Sequence, residues 1–202
     1  MKVLSVVGYS QTGKTTTIEK IIFELKKRNY SVGAIKYIHH HNFTLDKEGT
    51  NTYRFKMAGA DIVTALGEVE TAIFYKEKID VYELLKHYYQ DFVIIEGIRD
   101  INCPKILTAD NLMDIKEEKD YSTYLISGKI ADEINEYEGI KAISVYQDIK
   151  GLVDFIEENT FELLPDYSED YCNLCGYSCR KLCELILKGE KDRSHCLLKS
   201  EF

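Results

Sequence analysis

The sequence predicts a three-layer α/β fold in which helices cover both faces of a mainly parallel sheet. Short apolar, β-branched runs alternate along the chain with amphipathic helical stretches, a pattern typical of parallel sheets. A glycine-bearing segment, residues 8–15, lies between the first apolar run and the first helical stretch. Phosphate-binding loops occupy this position in such folds.

The individual elements follow from changes in hydrophobic period. Lys2–Val7 is a β-branched run and is predicted as the first strand. Isoleucine and leucine recur at helical spacing from Ile18 to Leu25, so a helix is predicted from Lys14 to about Asn29. Further strands are predicted at 31–38, 62–66, 71–75, 92–95, 123–126 and 142–145, and further helices at 50–58, 81–89 and 149–158.

Length and composition predict one substantial domain with a small appendage. The chain has 202 residues, of which 45% are hydrophobic. We expect a nucleotide-binding domain over 1–158, a linker over 159–171 and a metal-binding module over 172–202. The net charge of −8 argues against a nucleic-acid partner. No apolar run approaches the ~20 residues of a membrane span, and the short segment before the loop is not typical of a secretory signal. The expectation is a soluble, cytoplasmic protein.

Residues 8–15 read Gly-Tyr-Ser-Gln-Thr-Gly-Lys-Thr, which matches the phosphate-binding loop (P-loop) of nucleoside triphosphatases. The predicted fold is therefore the P-loop NTPase fold. Backbone N–H groups of such a loop point at phosphate oxygens, the lysine meets the β/γ-phosphates and the following hydroxyl ligates Mg²⁺. The predicted nucleotide-contacting residues of the loop are Gly8, Tyr9, Ser10, Gln11, Thr12, Gly13, Lys14, Thr15 and Thr16.

A second acidic group is needed to hold Mg²⁺ or to orient its waters. Glu96 ends the apolar run 92–95, where ligands of open α/β sheets bind, and Asp46 is the competing carboxylate. We predict Lys14 and Glu96 as catalytic residues, and Thr15 with Glu96 as Mg²⁺ ligands. The usual guanine-reading sequence Asn-Lys-x-Asp is absent. Ser127–Asp132 follows a late strand and is a candidate for that task.

Three adjacent histidines, His39–His41, follow the second predicted strand. Alone they suit a metal site, a phosphate contact or a solvated loop. Together with the P-loop, the ordered series around them resembles the MobB family of molybdopterin-guanine dinucleotide biosynthesis adaptors. The series is Ile35-Lys36-x-x-His39-His40, Asp46-x-x-Gly49-x-x-Thr52-Tyr53-Arg54, Ala58-Gly59-Ala60, Ile95-Glu96-Gly97 and Pro104-Lys105-Ile106. The resemblance covers residues 2–158. Tyr37 departs from it, because a further histidine is common there.

The resemblance implies a GTP- and Mg²⁺-binding protein, usually a homodimer, with weak hydrolytic activity. Such proteins assist a partner guanylyltransferase that attaches GMP to molybdopterin in molybdenum or tungsten cofactor synthesis, and other molybdopterin-handling proteins are possible partners. It further implies that Lys36, His39, His40 and Arg54 face an anionic nucleotide or pterin phosphate. Two other functions stay open from the residues: a P-loop kinase for a small substrate, and a metallochaperone GTPase that uses the histidines and cysteines.

Five of the six cysteines lie in the last 31 residues. The spacing Cys172-x2-Cys175-x3-Cys179-x16-Cys196 places three thiols close together and one far away, which suits a 4Fe–4S cluster. Zinc, or thiols without metal, are the alternatives. Cys183 lies one helical turn after Cys179 and is an alternative ligand. The tail also resembles the small 4Fe–4S domain, in which Gly176, Gly189 and Glu190 are further landmarks. Cys103 is predicted to be structural.

Overall fold

The computed structural model describes residues 1–39, 43–167, 172 and 174–198. The chain forms two compact units, the first made of residues 1–37 and 88–202 and the second of residues 38–87. Within the described residues, no helix is both long enough and apolar enough to span a membrane.

The strands are β1 (Lys2–Val7), β2 (Val32–Lys36), β3 (Ile62–Leu66), β4 (Thr71–Tyr75), β5 (Phe92–Glu96), β6 (Lys105–Thr108), β7 (Thr123–Ser127), β8 (Glu136–Tyr137) and β9 (Ile140–Ala142). The α-helices are α1 (Lys14–Lys27), α2 (Asn51–Met57), α3 (Val81–Leu85), α4 (Leu112–Glu118), α5 (Ile149–Asn159) and α6 (Cys179–Leu187). Short 3-10 turns cover Lys129–Asp132 and Arg193–His195.

In the first unit seven strands form one sheet in the order β2-β5-β1-β6-β7-β9-β8. Every neighbouring pair is parallel except β8 with β9. Because parallel strands end at the same edge, the residues that follow β1, β2, β5, β6 and β7 meet along one side of the sheet. This edge carries the P-loop.

The two faces of the sheet are buried by different helices, which gives the predicted three layers. One face packs on α1 and α5 through a cluster that includes Leu4, Ile94, Ile21 and Ile156. The other face packs on α4 through a second cluster. Its members are Val7, Leu107, Ala109, Ile115, Ile126, Ile130, Ala131 and Ala142. Successive residues of a strand enter opposite clusters, because side chains point alternately to the two faces of a sheet.

The second unit contains an antiparallel hairpin of β3 and β4 together with α2 and α3. Its loop before α2 is organised by Asp46, a buried carboxylate that accepts hydrogen bonds from the hydroxyls of Thr50 and Thr52 at 3.0 and 2.8 Å. Thr50 also caps α2 by accepting from the amide of Tyr53.

The predicted α/β class with a mostly parallel sheet is confirmed, and several elements differ from the prediction. The runs at 62–66 and 71–75 do form strands, but they pair with each other outside the main sheet. The strand β6 and the helix α4 were not predicted. β6 is only four residues long and begins with a lysine, Lys105, which is fully buried beside Asp120 at 2.5 Å.

The last strand of the large sheet begins earlier than predicted and ends at Ala142 rather than Val145. Ser144 breaks the strand, because its hydroxyl accepts hydrogen bonds from the amides of Tyr146 and Gln147 and so closes a turn. The turn directs these residues to the edge that carries the P-loop.

The segment after α5 belongs to the first unit and packs closely within it. Leu163 and Leu164 are fully buried, and Glu162 forms a β-bridge with Lys2 at the start of β1. The guanidinium of Arg193 donates to the carbonyl oxygens of Glu162, Leu163, Cys196 and Leu198. The division into a domain, a linker and a tail module stays a prediction.

Candidate nucleotide site and cysteine tail

The P-loop connects β1 to α1 and depends on two glycines. Gly8 and Gly13 have φ values of 143° and 94°, a region that favours glycine. A Cβ on Gly8 would lie 2.2 Å from the carbonyl oxygen of Thr108. The loop backbone can therefore approach the end of β6 only without a side chain at this position.

Thr12 fixes the inner side of the loop. Its buried hydroxyl donates to the carbonyl of Tyr9 at 2.9 Å and lies 2.8 Å from the hydroxyl of Thr108. The Thr108 hydroxyl also reaches the carbonyl of Val7 at 3.1 Å. With its side chain used in this way, Thr12 offers a ligand only its backbone.

Lys14, Thr15, Lys36 and Glu96 meet at the mouth of the loop. The Thr15 hydroxyl donates to Glu96 Oε2 at 3.2 Å, and Lys36 Nζ lies 2.8 Å from Glu96 Oε1. Lys14 Nζ donates to the carbonyl of Gly8 at 3.0 Å and also to that of Tyr9. The sheet register explains the meeting, because Lys36 on β2 and Val6 on β1 both pair with Glu96.

These side chains enclose a cavity of about 370 Å³, lined by Ser10, Gln11, Gly13, Lys14, Thr15, Thr16, Lys36 and Glu96. Partial burial lowers the pKa of Lys14, while Glu96 opposes that shift and the charges of Arg99 and Lys36 add to it. Lys36 is thus paired with Glu96, Lys14 lies within electrostatic reach of both, and Arg99, which pairs with Glu118, adds a further positive charge near Lys14. The arrangement suits a polyanionic ligand with an attached metal ion.

Other predicted contacts belong to the second unit. His39 and Arg54 both lie in residues 38–87. Asp46 lies there too, and its carboxylate accepts hydrogen bonds from the hydroxyls of Thr50 and Thr52. His40 lies outside the described residues.

Comparison with known proteins decides the family. A profile described as molybdopterin guanine dinucleotide synthesis protein B, MobB, matches residues 3–125. The chain belongs to the MobB family. It is 33% identical over 205 residues to a Methanocaldococcus jannaschii protein named as a molybdopterin-guanine dinucleotide biosynthesis adapter, covering 98% of this chain and 77% of that one. It is 37% identical over 109 residues to the adapter protein of Haemophilus influenzae, covering 52% and 61%.

Solved MobB structures share the fold. The crystal structure of Bacillus subtilis MobB matches with a TM-score of 0.67 and 23% identity, over 80% of this chain and 99% of that chain. A MobB homolog from Bacillus stearothermophilus matches with a TM-score of 0.58 and 19% identity, over 78% and 97%. The M. jannaschii match covers 98% of the chain and therefore includes nearly all of the cysteine tail of this MobB family member.

The tail divides its cysteines into two environments. Cys179 opens α6, where Ser178 caps the helix; burial raises its pKa, and the thiols of Cys196 and Cys172 raise it further. The half-buried Cys175 packs on the apolar cluster beneath the tail. Among the described residues, no three His, Cys, Asp or Glu side chains are placed to hold a metal ion. The predicted metal site therefore lacks support from this arrangement.

Cys183 has a different environment from the other tail thiols. It is fully buried in a cluster with Leu164 and Leu182. Burial raises its pKa well above the usual value, and Cys103 contributes to the shift. Burial likewise raises the pKa of Cys103 to about 12. Both thiols behave as apolar core groups. Cys175 and Cys196 are only partly buried and pack against the cluster that contains Cys183.

Gly128 belongs to the segment Ser127–Asp132 that was predicted as a candidate for reading guanine, but its packing against the P-loop was not predicted. Its φ is 84°, and a Cβ there would lie 2.6 Å from the Thr12 carbonyl oxygen and 2.9 Å from the Ala109 backbone. Its signal was the Ser-Gly-Lys sequence after a strand.

We expect Gly128→Ala to damage both stability and triphosphate binding, because backbone atoms at 2.6–2.9 Å would have to move. Gly139→Ala is the matched control, since Gly139 has φ 80° and nothing within 4 Å of its added Cβ. The control should lose about 1–2 kcal/mol from backbone strain, and Gly128→Ala about 1–3 kcal/mol more. Urea unfolding followed by circular dichroism measures the difference. Equal losses would contradict the close approach.

Proposed function

We propose that this chain is a GTP-binding accessory protein in the synthesis of molybdopterin guanine dinucleotide. In this role it assists a partner guanylyltransferase and hydrolyses GTP slowly. The observation that carries the proposal is the convergence of Lys14, Thr15, Lys36 and Glu96 on a 370 Å³ cavity at the P-loop, in a chain of the MobB family. The matched proteins are named for this pathway. A cytoplasmic location agrees with this role and stays a prediction.

The cavity fits a magnesium–triphosphate. Backbone N–H groups of the loop would bind the phosphates, and Lys14 would exchange its carbonyl partners for the β/γ-phosphate oxygens. Thr15 and Glu96 offer one hydroxyl and one carboxylate, the hard oxygen donors that Mg²⁺ prefers with several waters. Bound Mg²⁺ would neutralise part of the phosphate charge. Lys36, now paired with Glu96 at 2.8 Å, would then face the γ-phosphate.

Slow hydrolysis is expected from the contacts that the Glu96 carboxylate makes. Its two oxygens contact Lys36 and Thr15, so this carboxylate is committed to charge pairing and metal binding. Fast P-loop hydrolysis needs a further group that orients the attacking water. We propose that the partner enzyme completes the site. As the family resemblance implies, His39, His40 and Arg54 would bind an anionic nucleotide or pterin phosphate.

Lys14→Ala should weaken Mg·GTP binding by roughly 10- to 100-fold, because a charge-assisted hydrogen bond is worth about 1.5–3 kcal/mol. Lys26→Ala, an exposed lysine in the last turn of the same helix, is the matched control and should bind GTP normally. Isothermal calorimetry gives both affinities. Unchanged GTP affinity in Lys14→Ala would refute the proposed phosphate site, and rapid transfer of phosphate to a small acceptor would favour the kinase alternative.

We also propose that the protein is a homodimer joined through the β3–β4 hairpin. Cross-strand pairing puts Ile62, Leu66 and Ile73 on one hairpin face, and they are 57%, 83% and 54% exposed. An apolar face of this kind on a two-stranded sheet needs a covering surface to be stable. A second copy of the same hairpin provides one with matching chemistry.

Ile73→Lys should weaken dimerisation by at least roughly tenfold, because an unpaired charge in an apolar interface is strongly unfavourable. The exposed Glu77→Lys lies outside the hairpin and is the control for added positive charge. Sedimentation equilibrium measures the dimer dissociation constant. A wild-type monomer at all concentrations would disprove the proposal.

A second proposal assigns the tail thiols to an iron–sulfur cluster. A single zinc ion needs thiolates about 3.8 Å apart, as follows from Zn–S bonds of about 2.3 Å, whereas a four-iron cluster accommodates more widely spaced thiolates. The spacing of the tail cysteines, with Cys172 and Cys179 close together in sequence and Cys196 distant, supports the cluster over zinc. Cys175 would complete the four ligands.

Anaerobically purified protein should be brown and contain about four iron and four sulfide per chain. Cys179→Ser should remove the colour, because its thiol lies with those of Cys172 and Cys196. Cys183→Ala is the control and should keep iron and sulfide, because Cys183 is a buried core residue. One equivalent of zinc without sulfide, or loss of iron only in the Cys183 variant, would overturn the assignment.

A further inference from the structure

The turn after β7 lies directly against the P-loop, and it carries a carboxylate. Gly128 starts this turn beside Thr12, and the 3-10 turn Lys129–Asp132 continues from it. At a rise of about 2 Å per residue, the turn carries Asp132 roughly 6 Å beyond Lys129. Asp132 is exposed. It therefore stands at the same sheet edge as the phosphate site, displaced toward β7 and β9.

The Asp132 carboxylate is held in a fixed orientation although it is exposed. The buried hydroxyl of Ser144 donates to its Oδ1. The direction of that bond is settled, because the same hydroxyl already accepts hydrogen bonds from the amides of Tyr146 and Gln147. The Gln147 side chain also reaches the Asp132 carbonyl at 3.4 Å. An exposed aspartate anchored by a buried serine is preorganised to accept hydrogen bonds from a ligand.

An aromatic ring lies between this carboxylate and helix α1. Tyr146 is 69% exposed, and Lys20 Nζ on α1 is 4.7 Å from the centre of its ring. Lys20 lies six residues after Lys14, on the helix that starts at the P-loop. An exposed ring at this place offers a stacking surface for a planar base, because every base has a π-face.

We propose that Asp132 reads the guanine base of the bound nucleotide, an inference that rests on the proposed GTP site. Guanine presents two parallel donors, N1–H and the 2-amino group, which a carboxylate accepts as a pair. Adenine presents an acceptor at N1, so the same carboxylate repels it and is left without its partners. Ser144 positions Asp132, and Tyr146 flanks the base.

The spacing explains why the sequence indicated the segment Ser127–Asp132 only as a candidate and did not single out Asp132. In the usual guanine-reading sequence the lysine and aspartate are two residues apart, whereas Lys129 and Asp132 are three apart. The 3-10 turn accommodates the additional residue. Lys129 itself is held by Asp110 at 2.9 Å on the neighbouring strand end, which keeps the turn against the P-loop.

The test is a change of base preference in Asp132→Asn. An amide offers one acceptor and one donor, which matches the N1–H and O2 edge of xanthine. GTP affinity should fall by about 10- to 100-fold, and XTP affinity should rise above that of GTP. Glu133→Gln, which removes the adjacent exposed carboxylate, is the control and should leave both affinities unchanged.

Inorganic tripolyphosphate serves as a base-free probe of the P-loop in the same calorimetric series. Its binding should be equal in wild type and Asp132→Asn, which shows that the loop is intact. Unchanged GTP affinity in Asp132→Asn, or equal losses for GTP, XTP and tripolyphosphate, would overturn the base-reading role. A wild-type protein that binds neither GTP nor tripolyphosphate would instead refute the proposed nucleotide site.

Discussion

The close approach of the P-loop backbone to two strand ends is the constraint on which the site depends. Gly8 meets the Thr108 carbonyl at the end of β6, and Gly128 brings the turn after β7 against Thr12. Neither contact leaves room for a side chain. The loop is thereby held at the one sheet edge where Glu96 and Lys36 also end their strands, so parallel register and loop packing together build the cavity.

Charge is arranged around this cavity before any ligand binds. Lys36 pairs with Glu96, the charges of Glu96, Arg99 and Lys36 all act on Lys14, and burial lowers the pKa of Lys14. Lys14 donates to the carbonyl oxygens of Gly8 and Tyr9, and such oxygens are weaker acceptors for an ammonium group than phosphate oxygens. In the proposed complex, a triphosphate would replace these contacts by stronger ones. Because the cations already lie at the mouth of the loop, little binding energy would be needed to reorganise them.

The sequence predicted the parts of the site whose signals are local. Lys14 and Thr15 belong to one contiguous motif, and Glu96 ends an apolar run that could only be a buried strand. The remaining parts depend on contacts between residues that are distant in sequence, which no local pattern indicates. The strand β6 was not predicted because it starts with Lys105, and a lysine at a strand start suggests an exposed position unless its partner, here the partly buried Asp120, is known. Asp132 gains its orientation from Ser144, twelve residues away, and no local pattern encodes that contact.

In the tail, too, the sequence alone does not show which individual cysteines share an environment. Cys179 and Cys183 are one turn apart on α6, so spacing cannot separate them, but Cys179 opens the helix beside the loop that carries Cys172, whereas Cys183 packs against Leu164. Leu164 belongs to the segment that Arg193 ties to the carbonyl of Cys196, and that segment bridges to Lys2 on β1. Cys196 is thus connected, through Arg193 and this segment, to the sheet that carries the P-loop.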